Sequence, residues 1–299
     1  MKELINKSCL ITGAANGIGR AFAKALALEG MNLYLTDIDL EGLNNVKREV
    51  EDTGVTVFTG KCDVTKIDDF KQISIDFQSK LGNIDMLLNN AGIAIVGNIL
   101  EFTLQDWKDV LDVNLWSIIH SIKVFLPKML ERGTGHSVNM ASGAGIFGST
   151  EPLPYVASKF AVVGISEALY GQLHQQGIMV SVIVPSYIRT NIFQRSKIRY
   201  PQMLIDDIGE AKLRDIYHSI QSEMQSKATP PDRAVKIYIR GIKKDQLYIS
   251  DIKAVLSILT MKGSNPHQFE EFLINYNHQN TESTRKHFSK FGIDIDKYK

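Results

Sequence analysis

Short apolar runs alternate with longer amphipathic stretches from the N-terminus to about residue 250. The runs at 9–11, 33–35, 55–58, 86–88, 137–140, 180–184 and 247–249 read as strands. Each is continuously apolar or nearly so, the pattern of parallel strands covered on both faces. The stretches 17–29, 40–52, 66–80, 106–131 and 156–176 have helix length and period. Strand–helix alternation predicts βαβ units, a doubly wound parallel sheet and a three-layer αβα arrangement. Residues 191–230 are helical and mixed in charge, with no strand expected, and read as an insertion over the C-terminal edge of the sheet. Beyond 250, residues 254–259 are apolar, and Phe269, Phe272, Leu273 and Tyr276 make one helical stripe. The last twenty residues are polar and are expected to fray. The predicted organisation is one α/β domain over 1–260, including a helical lid at 191–230, followed by a C-terminal helical extension over 261–299.

Composition narrows the partners. A chain of 299 residues with 44% hydrophobic and 22% charged residues needs no disulfide or metal to fold. A formal net charge of +1 gives no long-range field for nucleic acid or an anionic membrane. The two cysteines, Cys9 and Cys62, read as buried reduced thiols, which fits a cytoplasmic setting. The histidines are scattered, so no metal site is expected. No targeting peptide or membrane span is expected either.

The first strand runs into Thr12-Gly13-Ala14-Ala15-Asn16-Gly17-Ile18-Gly19 and then a helix. A helix N-terminus offers free N–H groups and a positive dipole end, so this junction suits an anion. Gly13 permits the tight turn, Gly17 lets the main chain approach a pyrophosphate, and Gly19 lets helix and strand pack closely. A Gly-rich loop without a ligand has the same spelling. The second strand ends in Asp37, 18 residues beyond Gly19, near the offset of a carboxylate that accepts from the adenosine ribose hydroxyls. Such a carboxylate repels a 2′-phosphate and favours NAD, with NADP as the alternative. Asp37 could instead cap the next helix, a role also open to Asp39.

These residues, taken with six further segments, resemble the short-chain dehydrogenase/reductase family in its shorter-subunit branch, over about residues 6–190. Thr12–Gly19 is similar to the family's TGxxxGIG turn, which includes Asn16 and Ile18. Asp63-Val64 resembles its adenine contact. The segment 84–92, ending Asn89-Asn90-Ala91-Gly92, resembles the element that braces the sheet and lines the cofactor cleft. Asn114, Ser142, Tyr155 and Lys159 stand at the positions of the family's catalytic set. Pro185 to Thr190, with Ile188, resembles the PGxxxT segment that borders the nicotinamide, with Ser186 in place of the usual Gly. The resemblance implies a Rossmann fold and hydride transfer between a nicotinamide cofactor and a secondary alcohol or ketone. It also implies a homodimer or homotetramer through helices 106–131 and 156–176.

The residue types suit that reaction. A Tyr hydroxyl can move the proton on the substrate oxygen, but its ordinary pKa of about 10 is high for a base at neutral pH. A neighbouring cation favours the phenolate. Lys159, four residues after Tyr155, lies on the same helix face. By the resemblance, Lys159 also holds the nicotinamide ribose, Ser142 fixes the substrate oxygen, and Asn114 holds a water that relays protons. A Tyr–Lys pair at this spacing, a loop Ser and a helical Asn are each commonplace singly. Ile93, Ala94, Ile95, Val96, Ile146, Phe147, Leu153, Pro154 and Tyr187 suggest an apolar substrate side. Phe193, Met203, Leu204, Ile205, Ile208, Leu213 and Ile216 suggest a closing lid, or else packing against the sheet or a second subunit. The competing reading outside enzymes is an NAD-binding sensor or scaffold.

Overall fold

A computed structural model describes residues 1–148, 152–193 and 196–298. The strands are β1 (Ser8–Thr12), β2 (Asn32–Asp37), β3 (Val57–Lys61), β4 (Met86–Asn89), β5 (Ile95–Gly97), β6 (Gly135–Met140), β7 (Ile178–Ile183), β8 (Lys197–Arg199) and β9 (Tyr248–Ile249). The helices are α1 (Gly17–Leu28), α2 (Leu40–Val50), α3 (Ile67–Leu81), α4 (Leu104–Leu111), α5 (Ser117–Arg132) and α6 (Leu153–Leu173). They continue with α7 (Gln202–Ile208), α8 (Glu210–Lys227), α9 (Pro231–Lys243), α10 (Lys253–Ser264) and α11 (Pro266–Ser289).

Seven strands form one parallel sheet in the order β3-β2-β1-β4-β6-β7-β9. The apolar runs explain it: β1 and β4 are buried along their whole length. On one face Phe22 and Leu26 of α1, Leu43 and Val46 of α2, and Tyr238 of α9 share a core. Phe22 and Tyr238 stack there at 6.1 Å. On the other face Phe70 and Phe77 of α3, Phe125 and Met129 of α5, and Leu173 of α6 share a second. Strand order reverses between β1 and β4, and a crevice opens at the carboxyl ends of strands at such a switch point. The expected doubly wound, three-layer αβα fold is what the chain adopts.

Three expectations are corrected. The helix expected over 106–131 starts at Leu104, where Thr103 and Asp106 form a reciprocal capping box, and is interrupted by a π turn over Asp112–Trp116. The whole run Leu104–Arg132 is apolar and long enough to cross a bilayer by length and composition. Here it packs on the sheet through Phe125 and Met129. The insertion is not strand-free: β8 pairs in parallel with β5, and Arg199 makes a bidentate ion pair with buried Asp106, at 2.9 and 2.8 Å. That pairing holds the Asp106 carboxyl down at about 2. Nor is the tail without tertiary contacts: α11 runs to Ser289, and Phe288 and, beyond the helix, Ile293 pack with Leu213 and Ile216 of α8.

Candidate active site

A cleft of about 740 Å³ opens at the switch point. Its floor is the β1–α1 turn. Gly13 and Gly17 have φ of +65° and +55°, which L side chains rarely adopt. A Cβ on Gly19 would stand 2.1 Å from the Gly13 carbonyl oxygen, so only glycine lets α1 begin so close to the strand. Asn16, the N-cap, makes no side-chain cap bond, and the first turn of α1 has no acidic residue. The helix end is therefore open to an anion. From behind, Asn90 Nδ2 donates to the Thr12 and Gly13 carbonyls at 2.9 and 3.0 Å. Thr12 Oγ1 accepts from the main-chain N–H groups of Asn90 and Ala91. Asn89 points the other way, into a buried network: Asn89 Nδ2 donates to Asn139 Oδ1 at 2.8 Å, and Asn89 Oδ1 accepts from Ser121.

Asp37 lies at the C-terminal end of β2 and faces this turn. Its carboxylate accepts from Ala15 N–H and from Asp39 N–H, both at 3.1 Å. Asp39, not Asp37, caps α2, accepting from Gly42 N–H at 2.9 Å. Asp37 is thus held at the rim with its carboxylate toward the cleft. Asp63 and Val64 line the same end, with Asp63 bonded to Thr65 N–H and Oγ1 at 3.1 and 2.7 Å.

Tyr155 and Lys159 sit in the first two turns of α6, both buried. Lys159 Nζ donates to the Met140 carbonyl at 2.9 Å and lies 5.4 Å from the Tyr155 ring centre. Burial lowers the Lys159 ammonium from its ordinary 10.5 to about 8. Ser142 starts the turn after β6, its Oγ accepting from Ala144 N–H at 3.1 Å, and faces the cleft. Asn114 lies on the π turn, a distortion of helices frequent at functional sites. Its amide is fully engaged: Oδ1 accepts from Ile93 N–H at 2.8 Å, and Nδ2 donates to the Ile93 carbonyl and to Ser158 Oγ, both at 3.0 Å. Both it and Lys159 lie against Gly92, where a Cβ would stand 3.4 Å from Asn114 Oδ1 and 3.6 Å from Lys159 Nζ.

Of the residues singled out from the sequence, Gly13, Asn16, Gly17, Ile18, Asp37, Asp63, Val64, Asn90, Gly92, Ser142, Tyr155, Lys159, Ile188 and Thr190 line the cleft. Gly19 and Asn114 support it from behind. On the substrate side, Ile93, Ala94, Phe147, Tyr187 and Phe193 line it. Ile95 and Val96 belong instead to β5, Ile146 is in the core, and Leu153 and Pro154 form the first turn of α6. In the insertion, Leu204, Leu213 and Ile216 pack against Phe288 and Ile293, and Met203 is exposed.

Two groups of residues have a place at the cleft that the sequence does not disclose. Met224, Val255, Ile258 and Tyr276 line the cleft from α8, α10 and α11. Asp251, just after β9, accepts from Ser186 N–H at 2.8 Å and Tyr238 Oη at 2.9 Å, and from the Ser186 hydroxyl. Ser186, the departure from the usual Gly, is thus fixed at the root of the Pro185–Thr190 segment. Its neighbours are pinned too: Tyr187 and Arg189 exchange main-chain bonds with Thr229.

Residues 7–200 match the short chain dehydrogenase family, and the chain belongs to it. It is an oxidoreductase acting on CH–OH or carbonyl groups. It is 35% identical, over 68% of its length and 72% of the relative's, to a CLA biosynthesis dehydrogenase/reductase of Lactiplantibacillus plantarum. It is 32% identical to the short-chain dehydrogenase/reductase family 16C member 6 of Bos taurus, over 81% of this chain and 78% of that one. Among solved structures, a short chain dehydrogenase/reductase from Burkholderia phymatum in complex with NAD superposes with a TM-score of 0.78, at 28% identity, covering 90% of this chain and 96% of that one.

Proposed function

We propose that the protein transfers hydride between NAD and a secondary alcohol or ketone of apolar character, with Tyr155 as the acid/base. The observation that carries this reading is one continuous cleft with Asp37 and the glycine turn at one end and Ser142, Tyr155 and Lys159 at the other. The open N-terminus of α1 suits a pyrophosphate, Asp37 the adenosine ribose, and the Ile188–Thr190 segment the nicotinamide. The similarity to the NAD-bound Burkholderia phymatum structure supports the same reading.

When bound, the nicotinamide supplies the hydride acceptor or donor. Tyr155 handles the proton. In the oxidising direction its phenolate takes the hydroxyl proton of the alcohol while the carbinol C–H bond breaks, and the new C=O leaves Tyr155 protonated. Reduction runs the same steps backward. Lys159, cationic below about pH 8, favours the phenolate. Ser142 holds the substrate oxygen beside Tyr155. Because the Asn114 amide is engaged with Ile93 and Ser158, a water relay beside Lys159 would run on main-chain atoms of the π turn. Association through α5 and α6 belongs to the same reading, and Trp116, 49% exposed, offers an apolar contact beside them.

Asp37 makes the cofactor choice testable. Titrating NADH and NADPH against the protein should give tighter NADH binding. Asp37→Ala should narrow the ratio by about tenfold, the weight of one charge-assisted hydrogen-bond site. Tighter NADPH binding by the unaltered protein would overturn the assignment.

A further inference from the structure

We propose that α10 and α11 form the far wall of the catalytic cleft and select its substrate, with Tyr276 as the specificity-determining residue and a neutral alcohol or ketone carrying an extended apolar group as the substrate class. The proposal rests on the oxidoreductase reading above.

Charge divides the cleft. Its charged residues, among those described, are Asp37, Asp39, Asp63 and Lys159. The three carboxylates lie at the ends of β2 and β3, and Lys159 is beneath Tyr155. Beyond Ser142 the described lining residues offer no counter-ion, so none of them would pair a carboxylate or phosphate carried there. The surface it does offer is apolar: Phe193 and Met224 on the insertion side, Val255, Ile258 and Tyr276 on the other.

Tyr276 is braced to the catalytic loop. Its ring meets Phe147 edge-on at 5.5 Å and 88°, and lies 5.7 Å from Phe272. Phe272 in turn meets Phe147 at 5.4 Å. Phe147 follows Ser142 on the same loop, so the position of Tyr276 is referred directly to the reacting end. At its other end α11 grips the insertion. Phe288 packs with Leu213 and Ile216, and His287 Nε2 lies 2.9 Å from Glu223 Oε2. One helix therefore touches the catalytic loop and the insertion together and fixes the length between them. Both α10 and α11 lie beyond the part of the chain that matches the family.

The test is calorimetric titration of the full chain with 2-alkanols of increasing length. Saturating NADH is present, because it forms no reacting pair with an alcohol. Each added methylene should tighten binding by about fourfold until the wall is reached. Tyr276→Ala should move that plateau two or more carbons longer, and Ile258→Trp should move it shorter. A terminal carboxylate should weaken binding. Identical length profiles in all three proteins, or tighter binding of the carboxylate, would overturn the proposal. Ile258→Trp carries the test alone if Tyr276→Ala does not fold. The reading it rests on fails separately: absence of NADH binding would sink the cofactor assignment and full turnover by Tyr155→Phe the acid/base assignment, while the length profile can still be read on the nucleotide-free protein.

Discussion

At the cofactor end of the cleft the surface is largely main chain: a turn shaped by Gly13, Gly17 and Gly19 and braced by Asn90. At the substrate end it is side chain, drawn from α8, α10 and α11, remote in the chain from most of the loops they face. The first kind of surface tolerates almost no substitution, because a Cβ at Gly19 meets a main-chain oxygen that cannot swing aside. The second is made of side chains, which can change without any demand on φ, although Val255 also packs with Val182 and Val184 of the sheet. On the proposed function, the chemistry rests on a rigid floor and the selectivity on side-chain walls.

The sharpest way to break this contrast is at the floor. Gly19→Ala should cost about 1–3 kcal/mol through overpacking and lower NADH affinity by roughly tenfold or more. Gly164→Ala on α6, where a Cβ meets nothing within 4 Å, should leave affinity unchanged. Isothermal titration compares the two, and equal affinities would mean the turn does not hold the nucleotide. The junction between the two ends should respond less in NADH affinity. Asp251→Ala strips the partner from Ser186 and from the buried Tyr238 hydroxyl, for an expected loss of about 1–3 kcal/mol in stability. It should also weaken NADH more than ADP-ribose, which lacks the nicotinamide; equal weakening of both would make Asp251 purely structural.

Lys159 should change stability in the opposite sense, and in a way that depends on pH. Its ammonium is lowered by burial from 10.5 to about 8. Between those values the unfolded chain binds more protons than the folded one, so this group's contribution to stability rises with pH across the window. Below about pH 8 the folded protein carries a desolvated cation. Lys159→Met should therefore raise Tm at pH 7, with the gain shrinking toward pH 10 and turnover lost throughout. A gain independent of pH would show that Lys159 is not carried as a buried cation.

The contrast also explains what the sequence could disclose. Backbone demands appear as residue types at fixed spacing, so the glycine turn, Asp37 and the α6 pair are legible in the chain itself. Phe269, Phe272, Leu273 and Tyr276 are equally visible as a stripe. Yet apolar residues at helical spacing look alike whether they face a core or a cleft, and the partner Phe147 is remote in the chain. Strand β8 is hidden because Lys197 and Arg199 flank one apolar residue, and its pairing depends on Asp106 being buried opposite. The tail reads as frayed because its few apolar positions are spread among polar ones, and the burial of Phe288 and Ile293 needs α8.

The central claim is that Tyr155 moves the proton in a hydride transfer. Single-turnover oxidation of NADH with a methyl ketone tests it most directly, comparing the unaltered protein with Tyr155→Phe. NADH affinity should agree within about twofold, since the ring is retained, while the rate should fall by about a hundredfold to ten-thousandfold, the usual share of a general acid. Comparable rates in the two proteins would contradict the assignment.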